Sequence, residues 1–138
     1  MIIGGFQPLS LCDFPGIPAA VIFLQGCNWR CGFCHNLELL PLKPEQEIYK
    51  QDQLLLILKE RQKLLQGIVF TGGEPTLQPR ILPFMQQVKK LGYKVKLDTN
   101  GTNPGFLRIL ILEKVLDYIA MDIKAPWYKY EKIVGKVI

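Results

Sequence analysis

Short apolar runs of strand length alternate along this chain with stretches in which leucines and isoleucines recur at helical spacing. Strands are predicted at residues 19–24, 67–70, 93–97 and 118–121, and helices at residues 52–66, 79–91 and 103–114. Strands separated by helices of this length form βαβ units, whose strands run parallel and whose crossovers are right-handed. The pattern therefore predicts an α/β fold built on a parallel sheet.

The expected helix ends are marked by residues with known terminal preferences. Asp52 is expected to cap the first helix, and Pro79 to occupy the first position of the second. Gly92 is expected to end that second helix, because a glycine readily adopts the left-handed conformation that terminates helices. Asn103 and Pro104 are expected to cap and open the third helix.

Each cluster of polar residues follows a predicted strand. Three cysteines follow the first strand, residues 71–74 follow the second, Asp98 follows the third, and Asp122 with Lys124 follows the fourth. Parallel α/β sheets and barrels carry their binding sites at the carboxyl ends of the strands. The sequence therefore predicts that four loops converge on a single site.

Length and composition limit the classes of protein to consider. The 138 residues leave room for one domain, taken as residues 1–138, and 49% apolar with 21% charged residues is typical of a folded chain. The longest apolar stretch, residues 14–24, is interrupted by prolines and is too short to span a membrane. The first residues lack the features of a secretory signal, so the expected location is the cytoplasm.

The net charge of +5 is unevenly distributed. Residues 1–40 contain only Arg30 against Asp13 and Glu38, so the positive excess lies downstream. The lysines are scattered and the aromatic residues form no RNA-binding pattern, so nucleic acid is not the favoured partner. A basic downstream half suits an acidic electron donor such as a flavodoxin or ferredoxin, which it would attract electrostatically.

Cys27, Cys31 and Cys34 lie within eight residues in the pattern CxxxCxxC, which suggests a metal site. A structural disulfide is unfavourable in the cytoplasm. Zinc would need a fourth ligand from His35, which adjoins Cys34, or from the distant Cys12. A 4Fe-4S cluster held by three cysteines would leave one iron with an open coordination position.

This cysteine loop, with Phe33 before its last cysteine, resembles the cluster loop of the radical S-adenosylmethionine (SAM) superfamily. The segment Thr71-Gly72-Gly73-Glu74-Pro75 resembles the glycine-rich motif of that superfamily. Further segments resemble the activases of glycyl-radical enzymes: Asp13-Phe14-Pro15-Gly16, Cys34-His35-Asn36, Asp98-Thr99-Asn100-Gly101 and Asp122-Ile123-Lys124. The likeness covers about residues 4–133.

The resemblance implies a partial (β/α) barrel and a defined chemistry. Cys27, Cys31 and Cys34 would hold three irons of a 4Fe-4S cluster, and the amino and carboxylate groups of SAM would chelate the fourth iron. Reductive cleavage of SAM then yields a 5′-deoxyadenosyl radical that removes hydrogen from a glycine of a partner enzyme, expected to be anaerobic ribonucleoside-triphosphate reductase. Two alternatives stay open: a radical SAM enzyme with another glycyl-radical, small-molecule or peptide substrate, and a zinc-binding interaction module.

The resemblance also implies roles for individual residues. Phe33 and His35 would contact the adenine, and Glu74 would orient the ammonium of SAM. Asp98 and Asp122 would help to form a monovalent-cation site, with Lys124 neutralising a carboxylate. The full expected cofactor-binding set is Phe33, His35, Thr71, Gly72, Gly73, Glu74, Asp98, Asn100, Asp122 and Lys124.

Three features concern the substrate and the extent of the fold. Asp13 resembles a position that meets the incoming glycine loop, although capping of a local turn explains it equally well. Pro18 stands where activases of pyruvate formate-lyase commonly have arginine, which argues against that partner. Longer activases continue toward a six-stranded partial barrel, so about four βα units are expected here, in either a compact or a truncated form.

Overall fold

The computed structural model describes residues 1–42 and 49–135, and within them five strands form one sheet. The strands are β1 (Ile3–Ser10), β2 (Ala19–Leu24), β3 (Gly67–Gly72), β4 (Lys94–Thr99) and β5 (Tyr118–Met121), and they lie in this order across the sheet. Strands β2 to β5 are parallel, and β1 runs antiparallel to β2. The α/β class and the parallel sheet are confirmed.

Four helices accompany the strands: α1 (Gln51–Glu60), α2 (Ile81–Lys90), α3 (Pro104–Leu112) and the short α4 (Tyr130–Val134). The first three connect successive parallel strands, as the alternating pattern predicts. Asn103 caps α3 by accepting a hydrogen bond from the Phe106 backbone N–H at 3.3 Å. Gly92 directly follows the capping residue of α2 and has a φ of +87°, which confirms its expected role.

The predicted starts of two helices and the end of one are wrong. Lys50, not Asp52, occupies the cap position of α1, and the first residue of α2 is Ile81, not Pro79. Helix α1 ends at Glu60 instead of continuing to residue 66. Beyond it the backbone N–H groups of Leu64 and Leu65 donate to the Arg61 carbonyl and form turns, because the chain must reach the start of β3 alongside β2.

Strand β1 was not predicted from the sequence. It contains Gly4, Gly5 and Pro8, residue types that are depleted in strands, so its sequence carries a weak strand pattern. Its neighbour β2 nevertheless pairs with it from Ile3 opposite Leu24 to Ser10 opposite Ala19, with two irregularities in the register. The strand covers the edge that β2 would otherwise expose.

The main hydrophobic core lies between the sheet and helices α1, α2 and α3. Phe70 of β3 meets Phe84 of α2 edge to face, with ring centroids 6.0 Å apart. The opposite face of the sheet carries a smaller apolar cluster of Phe14, Ala19, Val21 and Val69. Both faces of the central strands are therefore packed, which fixes the positions of the loops at their carboxyl ends. Among the described residues, none of the helices has the length and apolar character required to cross a membrane.

Candidate functional site

A cavity of about 300 Å³ opens at the carboxyl ends of the parallel strands. Its walls come from the loop after β2, the ends of β3 and β4, and the segment after β5, which confirms the predicted convergence of four loops. The lining residues are Cys27, Trp29, Cys31, Phe33, Cys34, His35, Asn36, Leu40, Thr71, Gly72, Gly73, Asp98, Thr99, Asn100, Asp122 and Lys124. Every predicted site residue except Glu74 and Asp13 is among them.

The three clustered cysteines are all free thiols on the wall of this cavity. Burial raises the pKa of the Cys27 thiol, and the neighbouring Cys31 and Cys34 raise it further. Burial likewise raises the pKa of Cys31, which the nearby Lys124 ammonium partly opposes. The Cys27 and Cys31 thiols are therefore protonated in the metal-free protein at neutral pH, so metal uptake must release their protons and is favoured as the pH rises.

Three thiolates suit a 4Fe-4S cluster that leaves one iron open, and they are one ligand short of a zinc site. The three thiols line the same cavity. A tetrahedral zinc site needs four ligands within about 2.3 Å of the ion. Cys12, one of the two candidate fourth ligands, lies outside the cavity near Ser10 and Asp13.

The cysteine loop is held from two sides. The Arg30 guanidinium donates hydrogen bonds from Nη1 to the carbonyl oxygens of Cys27 and Trp29, at 2.7 and 2.8 Å. The Arg30 backbone N–H donates to the carbonyl of Val134 in α4 at 2.8 Å, and the Trp29 ring meets the Tyr130 ring with centroids 5.7 Å apart. Helix α4 therefore braces the loop that carries the thiols.

Gly72 and Gly73 permit a close approach between the β3 loop and the cysteine loop. Gly72 has a φ of +114°, and a Cβ at Gly73 would lie 2.1 Å from the carbonyl oxygen of Gly26. The Gly73 N–H donates to the carbonyl of Leu24 at 2.8 Å, and the Glu74 N–H donates to the carbonyl of Gly26. The glycines thus fix the β3 loop against the start of the cysteine loop, where a side chain would not fit.

We expect Gly73→Ala to destabilise the metal-free protein by about 2 kcal/mol, because the new Cβ would overlap backbone that cannot move easily. The measurement is denaturant unfolding monitored by circular dichroism. Gly32→Ala is the matched control, since Gly32 lies in the cysteine loop and a Cβ there would meet nothing within 4 Å. Equal midpoints for the two variants would contradict the role assigned to the contact.

Glu74 lies behind the cavity wall and is fully buried. Its Oε1 accepts hydrogen bonds from the Thr76 N–H at 3.0 Å, the Thr76 hydroxyl at 2.5 Å and the Thr99 hydroxyl at 2.7 Å. Its Oε2 accepts from the Asn100 N–H at 2.7 Å. The carboxylate therefore ties the β3 loop to the end of β4, and its expected contact with the ammonium of SAM stays a prediction.

A chain of polar side chains connects the end of β4 to the cysteine loop. Asn100 donates from Nδ2 to Oδ1 of Asn28 at 2.9 Å, and Asn28 donates in turn to the Thr102 hydroxyl at 2.9 Å. Asn28 and Thr102 were not predicted from the sequence. Only their positions indicate a role, because Asn28 directly follows the first cysteine of the loop and Thr102 directly follows the DTNG segment.

The two aspartates of the cavity wall are each paired with a lysine two residues away. Lys124 Nζ lies 2.5 Å from Asp122 Oδ2, which confirms the expected neutralisation, and 5.9 Å from the centroid of the Phe33 ring. Lys96 Nζ lies 2.5 Å from Asp98 Oδ1. The sequence analysis missed Lys96, although residues two apart on a strand share a face and this spacing signals the contact.

Asp13 is not brought to the cavity. It precedes β2, whereas the cavity follows the end of that strand, and six strand residues span about 20 Å. The Asp13 carboxylate accepts a hydrogen bond from the Ser10 hydroxyl at 2.5 Å. The Asp13 backbone N–H donates to the oxygen of that Ser10 hydroxyl at 3.1 Å. The structure therefore shows the local turn contact, and the contact with an incoming glycine loop stays a prediction.

The chain is similar in sequence to several named proteins. The chain is 37% identical over 138 residues to a Methanocaldococcus jannaschii protein provisionally named a glycyl-radical enzyme activating enzyme, covering 96% of this chain and 54% of the relative. It is 31% identical to the pyruvate formate-lyase-activating enzyme of Clostridium pasteurianum, covering 88% and 52%. It is 36% identical to the 7-carboxy-7-deazaguanine synthase of Koribacter versatilis, covering 67% and 39%.

The fold and a family model agree with these similarities. The crystal structure of QueE from Escherichia coli superposes with a TM-score of 0.58 at 25% identity, covering 72% of this chain and 52% of that one. The chain spans about half the length of the two activating enzymes that it matches. The family model described as the radical SAM superfamily matches residues 21–138. On this match, the chain belongs to the radical SAM superfamily.

Proposed function

We propose that the chain forms the cofactor-binding core of a radical SAM activase, which generates a glycyl radical on a partner enzyme. The observation that carries the proposal is the convergence of three free thiols, the glycine loop after β3 and the paired aspartates on one cavity. Two relatives with names of this activase class, both matched over most of this chain, support the choice.

Within this proposal the chain's own residues bind and orient the cofactors. When bound, the 4Fe-4S cluster and SAM supply a one-electron reductive cleavage that yields methionine and a 5′-deoxyadenosyl radical. Cys27, Cys31 and Cys34 would hold the cluster through their thiolates, which would leave one iron for SAM. Phe33 and His35 line the same cavity and would border the adenine.

The remaining wall provides orientation and charge. Thr71, Gly72 and Gly73 present a surface that a ligand can approach closely, because the glycines lack side chains. Asp98 and Asp122 also line the cavity, and each is paired with a lysine. Their carboxylate oxygens would accept hydrogen bonds from the hydroxyl and ammonium groups of SAM.

The proposal also names a partner enzyme and an electron donor. Anaerobic ribonucleoside-triphosphate reductase is the proposed partner, supported by the Pro18 departure from activases of pyruvate formate-lyase. An acidic electron donor such as flavodoxin or ferredoxin suits the positive excess downstream of residue 40. All of these proteins would meet in the cytoplasm.

Anaerobic reconstitution with iron and sulfide tests the proposal. With dithionite and SAM, we expect 5′-deoxyadenosine by liquid chromatography, and a glycyl-radical signal by electron paramagnetic resonance when the reductase is added. Pyruvate formate-lyase is the matched partner control. Nucleoside product without a radical on either protein would contradict the activase assignment but not the cofactor chemistry. Stoichiometric zinc with no cluster would contradict both.

A further inference from the structure

Two aspartate–lysine pairs lie at the ends of neighbouring strands, and both aspartates line the cavity. Lys96 and Asp98 belong to β4, and Asp122 and Lys124 follow its neighbour β5. In each pair the lysine ammonium lies 2.5 Å from a carboxylate oxygen. Each carboxylate on this wall therefore has its own positive partner within the chain.

The Lys96 pair is the more enclosed of the two. The Lys96 side chain is 10% exposed and that of Asp98 is 28% exposed, whereas the Asp122 side chain is 63% exposed. Lys96 Nζ also lies 6.0 Å from the centroid of the Tyr118 ring on β5, within the range of a cation–π contact. Packing on both sides holds the ammonium in place beside Asp98.

These pairs alter the case for a monovalent cation between Asp98 and Asp122. Two carboxylates sharing a small region repel each other unless positive charge intervenes, which is the role expected of such a cation. Here two ammonium groups already supply that charge, and each binds one of the two oxygens of its carboxylate, which leaves fewer oxygens to coordinate an ion. An ion placed between the aspartates would also be repelled by Lys96 and Lys124.

We propose that Lys96 is a built-in counter-charge, so that SAM binds this site without a monovalent cation. The inference rests on the proposed SAM site and names a positioning residue within it. Lys96 acts through Asp98, since it does not itself line the cavity and Asp98 does. It keeps the Asp98 carboxylate in one orientation on the cavity wall.

The test compares SAM affinity of the reconstituted holoprotein in three chloride salts at equal ionic strength: potassium, sodium and tetramethylammonium. Equilibrium dialysis gives the dissociation constant without turnover. We expect the unaltered chain to bind SAM equally in all three salts. Saturable enhancement by potassium or sodium would overturn the proposal, whereas no binding in any salt would overturn the proposed function as well.

A variant that lacks the Lys96 charge tests whether that charge replaces a cation. Lys96→Met removes the ammonium but keeps an unbranched stem of four heavy atoms, so we expect about tenfold weaker SAM binding in tetramethylammonium and recovery in potassium. Lys94→Met is the matched control, because Lys94 is an exposed lysine at the start of the same strand. A Lys96→Met variant that binds like the unaltered chain in every salt would overturn the proposal.

A double variant guards against misfolding of the single one. Lys96→Met combined with Asp98→Asn removes both charges of the pair, so no buried carboxylate is left without a partner. We expect its SAM affinity to be the same in all three salts, because the carboxylate that would attract an ion is gone. Potassium dependence in the double variant would place the ion elsewhere and contradict the assignment to Asp98.

Discussion

Replacing Cys27, Cys31 or Cys34 by alanine is expected to abolish both cluster uptake and 5′-deoxyadenosine formation. Each thiol lies on the wall of the same cavity, and a cubane cluster that loses one of only three protein ligands is held too weakly to persist. The measurements are iron and acid-labile sulfide content after anaerobic reconstitution, and liquid chromatography of the nucleoside product. We expect product to fall at least about a hundredfold, because even residues that only support a metal ligand are worth about 10–100-fold in activity.

Cys12→Ala provides the control for this series. Cys12 is exposed and lies outside the cavity, beside Ser10 and Asp13. Its replacement should leave iron content and product unchanged. Loss of iron from the Cys12 variant would show that Cys12 is a ligand and that the assignment of the three ligands is wrong. Full activity of a Cys31 variant would contradict the three-cysteine site.

Location of the site was predictable because strand direction decides it. The cysteine loop, the glycine loop, Asp98 and Asp122 each follow a parallel strand, so knowing the strands was enough to predict that they meet. The strands themselves carried clear apolar patterns, because β2 and β3 are packed on both faces. Burial of that kind leaves a direct mark on the sequence.

The parts that escaped prediction depend on tertiary contacts. Strand β1 exists because β2 offers it an edge, and its glycines and proline gave no strand pattern. In the sequence, Lys96 looks like any other lysine of a strand. Its enclosure depends on contacts with Asp98 and with Tyr118 of the neighbouring strand, which the local pattern does not express. The end of α1 at Glu60 likewise follows from the need to reach β3, which local leucine spacing does not express.

Glu74 shows most clearly how a motif residue can have a role that its motif does not disclose. The motif predicts a contact with SAM, whereas the structure surrounds the carboxylate with donors from Thr76, Thr99 and Asn100. These two roles make different predictions for the protein without cofactors. An anchor stabilises the metal-free fold, and a ligand for SAM contributes nothing until SAM is present.

We expect Glu74→Ala to lower the free energy of unfolding of the metal-free protein by about 3 kcal/mol, because it leaves buried donors without an acceptor. Glu74→Gln keeps one carbonyl acceptor, so a loss of about 1–2 kcal/mol is expected. Denaturant unfolding monitored by circular dichroism measures both, and Glu38→Ala, at an exposed carboxylate of the cysteine loop region, is the control.

The outcome distinguishes the two roles of Glu74. If Glu74→Ala unfolds at the same denaturant concentration as the unaltered chain but binds SAM more weakly after reconstitution, the residue is a ligand and the anchor is not needed for stability. If stability falls and Glu74→Gln recovers it in part, the carboxylate holds Thr99 and Asn100 in place. The anchored arrangement then sets the position of Asp98, which directly precedes Thr99 on β4, before any cofactor arrives.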